Sequence, residues 1–167
     1  MNRAKKARRR WKEPVGRIRL AVVVSRFNAP VTKRLLEGAV ECLRMHRIPK
    51  AAWRVVVCPG AFELPQVAHR LAATESWDAI VCLGAIIRGE TPHFEFVSAE
   101  AARGIQQVAL MYGLPVVFGV LTTNTERQAL ERSGGKFGNK GWDAIVTALE
   151  MISLFRSLGR RTPRRRL

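Results

Sequence analysis

Four short apolar runs, each emptying into a polar turn and then into a helical repeat, constrain this chain more than any other feature. They are Ile18 to Val24, Trp53 to Cys58, Ala79 to Ile87 and Pro115 to Leu121. Continuous apolar runs rich in Val and Ile are the pattern of strands buried on both faces. Between them the period changes. Pro30 opens a helix to about Arg47 with Leu35, Leu36, Ala39, Val40 and Leu43 as its stripe, and Asn28 stands as its cap. Phe62 to Ala73 reads as a short helix. From His93 the spacing of Phe94, Val97, Ala101, Ile105 and Val108 predicts a helix that Gly113 stops. Thr122 to Thr125 caps a helix to Arg132, the glycine-rich loop Ser133 to Gly141 follows, and Trp142 to Leu158 forms a last amphipathic helix.

A strand followed by a helix, repeated, leaves few topologies. Right-handed crossovers lay such strands side by side in a parallel sheet with helices on both faces. The expected fold class is α/β: a single-domain three-layer sandwich with a four-stranded parallel, flavodoxin-like sheet. Its domain spans residues 15–158, with a basic arm at 1–14 and a basic tail at 159–167.

This topology puts every strand-to-helix turn at one edge of the sheet, where open α/β folds bind ligands. The turns carry Arg26-Phe27-Asn28, Gly60-Ala61-Phe62-Glu63, Arg88 to His93 and Thr122 to Asn124. Two aromatics, an acid, basic groups, a histidine and a helix start suit a flat, polar, partly anionic small molecule. The turn before His93 suits an anion best, because a helix start offers unpaired N–H groups and partial positive charge. A histidine there can move protons near neutral pH. From these residues alone, Thr91 and Pro92 can equally be a cap and a first-turn proline, and His93 a structural side chain. The loop at 133–141 has neither the dinucleotide fingerprint nor a phosphate-loop Gly-Lys-Ser/Thr.

Charge matters because of where it lies. Of 29 Lys and Arg against 13 acids, seven fall in residues 1–12 and five in residues 160–167, and neither segment holds an acid. Only four of the sixteen net positive charges remain for residues 13–159. Such tails suit contact with a polyanion or simple solvation. The N-terminal segment shares arginine richness with transit peptides but has no Ser, and it lacks the apolar core of a secretory signal. No apolar run reaches the length of a membrane span. Cys42, Cys58 and Cys82 sit in apolar surroundings without metal-ligand spacing, as in a reduced, cytoplasmic protein.

Five motifs in order resemble the lumazine synthase family. They are Ser25-Arg26-Phe27-Asn28, Pro59 to Pro65 (PGAFELP), Gly84 to Glu95 (GAIIRGETPHFE), Phe118 to Thr122 (FGVLT) and Gly138 to Gly141 (GNKG). The resemblance runs from about Val15 to Leu158 and leaves out both tails. It implies a transferase of riboflavin biosynthesis that joins 5-amino-6-(D-ribitylamino)uracil and 3,4-dihydroxy-2-butanone 4-phosphate into 6,7-dimethyl-8-ribityllumazine, releasing phosphate and water. No cofactor and no metal is implied. Residue by residue, it implies that Phe27, beside Asn28, stacks on the pyrimidine ring. The backbone of Ala61 and Phe62 and the carboxylate of Glu63 hold the ribityl chain, and Ile86 and Ile87 contact the heterocycle. Gly89, Glu90 and Thr91 cradle the phosphate, and His93 shuttles protons. Phe118, Arg132 and Lys140 come from a neighbouring subunit of a homopentamer, twelve of which can close into an icosahedral, 60-subunit shell. His46, His69 and Cys58 are expected only to pack. The alternatives are a non-catalytic flavin-binding module on the same fold and a shell-forming scaffold with polyanion-binding tails.

Overall fold

The computed structural model describes residues 18–159 of the 167. The expected arm and nearly all of the expected tail lie outside the described residues. β1 (Leu20–Ser25), β2 (Trp53–Cys58), β3 (Ala79–Ile87) and β4 (Val116–Thr123) form one sheet in the order β2-β1-β3-β4, every pairing parallel. This is the expected architecture. β2 and β4 are its edges.

Helices α1 (Ala29–Met45) and α5 (Lys140–Ser157) cover one face, and α2 (Leu64–Ala72) and α3 (His93–Tyr112) the other. The strand period of two sorts the core. Leu20, Val22 and Val24 of β1 join Leu35, Ala39 and Leu43 of α1 and Ile145, Leu149 and Ile152 of α5. Ala21 and Val23 turn the other way, toward Leu64 and Ala68 of α2 and Ala101, Ile105 and Val108 of α3. All of β1 and all but the last residue of β3 are buried. Each fully buried Val, Leu or Ile contributes about 1.5–3 kcal/mol relative to exposure, so the central strands hold the most stabilisation.

Local signals set most boundaries. Pro30 lies in the first turn of α1, where its missing N–H costs nothing. Gly113 ends α3 in the left-handed region at φ 55°. Five expectations need correction. Helix α1 stops at Met45, two residues early, and Arg47 adopts φ 56°. The segment from Phe62 begins as a 3-10 turn, Ala61–Glu63, and becomes α-helical only at Leu64. β4 runs on to Thr123 because Ile86 and Ile87 pair with Thr122 and Thr123. The glycine-rich loop is an antiparallel hairpin of β5 (Ser133–Gly135) and β6 (Gly138–Asn139), following α4 (Glu126–Arg132). Helix α5 then starts at Lys140, not Trp142, because Asn139 Oδ1 accepts from the N–H groups of Gly141 (2.8 Å) and Trp142 (3.4 Å).

Cys42, Cys58 and Cys82 are all buried. Among the described residues no helix is long and apolar enough to cross a membrane.

Candidate functional site

The carboxyl ends of β1, β2 and β3 bring the expected turns together, and main-chain bonds tie them. Arg26 N donates to Cys58 O (2.8 Å) and Phe27 N to Pro59 O (3.0 Å), which straps the turn after β1 onto the turn after β2. Asn28 does not cap α1 with its side chain. It sits at φ 57°, in the left-handed region that Asn tolerates better than most residues, and its Nδ2 donates to Ala85 O of β3 (2.8 Å). Phe27 is therefore held on a fixed main chain, and the residue is 70% exposed. An aromatic ring so presented is a stacking surface.

Beside it, Ala61 is buried and Phe62 is 49% exposed. The Glu63 carboxylate folds back over Gly60, where a Cβ would come within 2.8 Å of Glu63 Oε2. Cys58 lies beneath, its thiol donating to Gly60 O (3.3 Å). Burial, with the Glu63 charge added, pushes that thiol up to about 11, so it stays protonated at neutral pH. A nucleophilic role does not suit it.

At the end of β3, Ile86 is buried and Ile87 half-buried, and beyond it Arg88 to His93 are exposed. Pro92, not Thr91, occupies the cap position of α3, and no side chain caps it. The start of α3 is thus left without a side-chain cap, as an anion site at a helix start requires. His93 is the first residue of α3 and stands at the same mouth.

Arg88 and Glu95 have a role that sequence reasoning missed. Arg88 N donates to Thr123 O (2.9 Å) and its Nε to Asn124 Oδ1 (3.0 Å), while Nη1 pairs with Glu95 Oε1. Its guanidinium also lies 4.2 Å from the centre of the Phe94 ring. That clamp closes the turn holding Gly89, Glu90, Thr91 and His93. The hydrogen-bonded Arg88 guanidinium holds the Glu95 carboxyl below the usual carboxylate range. Opposite charges seven residues apart across a turn were the available signal.

Phe118, Arg132 and Lys140 are elsewhere. They line a cleft of about 760 Å³ along the free edge of β4, between α3 and α5. Neither Phe27, Phe62, Glu63 nor His93 lines it. Arg132 Nη1 donates to Gln128 O (3.0 Å) with its guanidinium 4.7 Å from the centre of the Phe137 ring, and Lys140 Nζ pairs with Asp143 (2.7 Å). Asn139 fixes the hairpin that links Arg132 to Lys140: its Nδ2 donates to Arg34 O (2.7 Å) and Ser133 O (3.2 Å). Gly38 of α1 makes room for it, since a Cβ there would come within 2.2 Å of Asn139. Asn139 is the third residue whose role sequence reasoning missed.

The chain thus carries two polar clusters on different flanks of the sheet. Residues 17–156 match the family described as 6,7-dimethyl-8-ribityllumazine synthase. The chain belongs to that family. It is 53% identical over 140 residues to the 6,7-dimethyl-8-ribityllumazine synthase of Chlorobium phaeovibrioides, an alignment covering 84% of this chain and 90% of the relative. The same-named protein of Chlorobium luteolum is 52% identical over 140 residues, with 84% and 90% covered. That of Chlorobium chlorochromatii is 50% identical over 141 residues, with 84% and 91% covered. Both clusters, from Phe27 to Lys140, lie within the span shared with lumazine synthases, and both basic segments lie outside it.

Proposed function

We propose that this chain catalyses the lumazine synthase reaction of riboflavin biosynthesis, joining 5-amino-6-(D-ribitylamino)uracil to 3,4-dihydroxy-2-butanone 4-phosphate with release of phosphate and water. Each site takes its first half from one protomer and its second from a neighbour. Phe27, on the main chain that Asn28 fixes, stacks on the pyrimidinedione. Ala61, Phe62 and Glu63 hold the ribityl chain, and Ile86 and Ile87 bound the heterocycle. Gly89, Thr91 and the backbone of Glu90 receive the butanone phosphate at the start of α3, with the Glu90 carboxylate turned away. His93 takes and returns protons as the amine and ketone form an imine and phosphate departs. From the neighbour, Phe118 closes over the ring, and Arg132 and Lys140 grip the phosphate, the guanidinium through two oxygens.

The observation that carries the shared site is the separation of Phe118, Arg132 and Lys140 from the His93 cluster within one chain. Held apart, neither half surrounds both reactants, and catalysis of a two-substrate condensation depends on orienting them together. The working unit is therefore a homopentamer, and the compact hairpin at 133–139 favours closure of pentamers into a 60-subunit icosahedral shell in the cytoplasm. Sedimentation separates those two assemblies.

The test is product formation from the two substrates, followed by absorbance against a no-protein control, since these reactants also condense unaided. Acceleration that falls in His93→Ala and in Arg132→Ala is the expected result. No acceleration from an assembled protein would leave a flavin-binding or scaffold relative in its place.

A further inference from the structure

Within one chain, a run of hydrogen bonds joins the turn that carries His93 to the helix that carries Arg132, and it starts at Arg88. Arg88 follows β3 directly, and its guanidinium meets three neighbours at once. Nε donates to Asn124 Oδ1 (3.0 Å), Nη1 pairs with Glu95, and the central carbon lies 4.2 Å from the centre of the Phe94 ring. Phe94 and Glu95 belong to the first turn of α3, beside His93, whereas Asn124 stands between β4 and α4.

Asn124 carries the run onward. Its own N–H donates to Gln128 Oε1 (2.9 Å), Gln128 N donates to Thr125 Oγ1 (3.2 Å), and Gln128 O accepts from Arg132 Nη1 (3.0 Å). Helix α4 has only seven residues. A helix so short has little stability of its own, so its anchors decide where it points. Arg88, acting through Asn124 and Gln128, is one of those anchors, and Arg132 bonds to the same turn.

Stability does not account for this arrangement. The Arg88 and Glu95 side chains are 43% and 52% exposed, and an ion pair so open to water adds little to folding. Nor does Arg88 offer substrate a free fork, because Nε and Nη1 are already committed. A planar guanidinium can hold an amide on one edge, a carboxylate on another and a ring on its face, which the single nitrogen of lysine cannot do. We propose that Arg88 is a positioning residue for both halves of the site: it sets the turn of His93 through Phe94 and Glu95, and it aims Arg132 through Asn124 and Gln128. This role rests on the synthase reading, in which Arg132 serves the neighbouring site. One side chain then aligns its own chain's site and the phosphate grip that this chain lends to the next.

The experiment compares full-length Arg88→Ala, Arg88→Lys, Asn124→Ala and the double variant Arg88→Ala/Asn124→Ala with the unmodified protein. It reads kcat, the KM of each substrate and, by calorimetry, the affinity for inorganic phosphate. Thermal denaturation should hardly move in any variant, because the side chains removed are exposed. Asn124→Ala should raise the KM of the butanone phosphate and the Kd of inorganic phosphate about fivefold, as when a charge-assisted contact is misdirected and not removed. Its kcat and pyrimidine KM should stay as they were. Arg88→Ala should add a fall in kcat of about tenfold, because the His93 turn shifts as well. The double variant should bind phosphate no worse than Arg88→Ala, since both changes cut the same run. Arg88→Lys keeps the charge and the pairing with Glu95 but has no second edge for Asn124, so kcat should recover while phosphate affinity stays weak. Full recovery of both by lysine would mean that charge alone matters and would overturn the proposal. Additive losses in the double variant, or unchanged kinetics in Arg88→Ala, would overturn it too. Unmodified protein that binds phosphate without accelerating the condensation would sink the synthase reading instead, and the phosphate affinities alone would then decide the role of Arg88.

Discussion

The two clusters of the site differ in what holds them. The cluster at β1, β2 and β3 is made of turns fixed by main-chain bonds between neighbouring strands, such as Arg26 N to Cys58 O and Arg88 N to Thr123 O. Phe27, Glu63 and His93 stand on a scaffold that does not depend on their own side chains. The cleft beside β4 depends on side chains. Arg132, Lys140 and the hairpin are organised around Asn139, which reaches across to Arg34 O of α1 and needs the bare Cα of Gly38 beneath it. A backbone-built half tolerates replacement of its functional groups one at a time, whereas a half built on one amide fails as a unit.

The sharpest way to break this comparison is to inactivate the halves separately and combine them. His93→Ala removes the proposed proton carrier of the first half and Arg132→Ala a proposed phosphate grip of the second, and each should lower kcat about 10²-fold or more. Co-expressed in equal amounts, the two variants should recover activity, because about a quarter of randomly formed interfaces join two intact halves. Recovery is measured on the purified mixed assembly. Activity no higher than that of either variant alone would mean that both halves serve within one chain.

Gly38→Ala tests the hub. The new Cβ would push into the Asn139 amide and remove its bonds to Arg34, Ser133 and the start of α5. Overpacking and lost hydrogen bonds together cost about 1–3 kcal/mol, read as a lower denaturation midpoint. The KM for the butanone phosphate should rise about tenfold, as for loss of one charge-assisted contact, while binding of the pyrimidine, followed by fluorescence, stays as it was. A rise in both would show that the halves are mechanically coupled.

The same contrast explains what could be read from the sequence. Strands were legible because Val- and Ile-rich runs mark a buried strand locally, and the first cluster followed because every one of its turns comes directly after a strand. Asn28 was misread for an instructive reason. Asn before Ala-Pro is a strong local cap signal, but a long-range bond to Ala85 O and a left-handed backbone took the side chain instead. The start of α5 was hidden too. Asn139 is a good cap type, yet its glycine neighbours made the segment look like a loop, and its partner Arg34 lies 105 residues away. No local pattern reveals such a contact.

Phe27→Ala should have a smaller effect, confined to the first half. Loss of one stacking partner is worth about 0.5–1.5 kcal/mol, so the KM for the pyrimidine should rise about 3- to 10-fold with little change for the butanone phosphate. The main chain from Arg26 to Asn28 keeps its bonds, so thermal stability should hardly move. A marked loss of stability would mean that the Phe27 ring packs against a neighbour instead of waiting for substrate.

Cys58 gives the smallest effect and the most direct measure of how firmly the first half is held. Its thiol is pushed up to about 11 and is buried under the strap between β1 and β2. Between the unfolded thiol value of about 8.5 and that folded value the unfolded chain binds fewer protons, so stability must fall as pH rises through this window. Cys58→Ser should flatten that slope in denaturation curves taken across it. At pH 8, alkylation of Cys58 by iodoacetamide should be far slower than that of a free thiol, because both the proton and the strap protect it. Alkylation as fast as in unfolded protein would require the turn after β2 to open readily. The main-chain strap would then not be rigid, and the two halves of the site would differ less in their construction than their hydrogen bonds indicate.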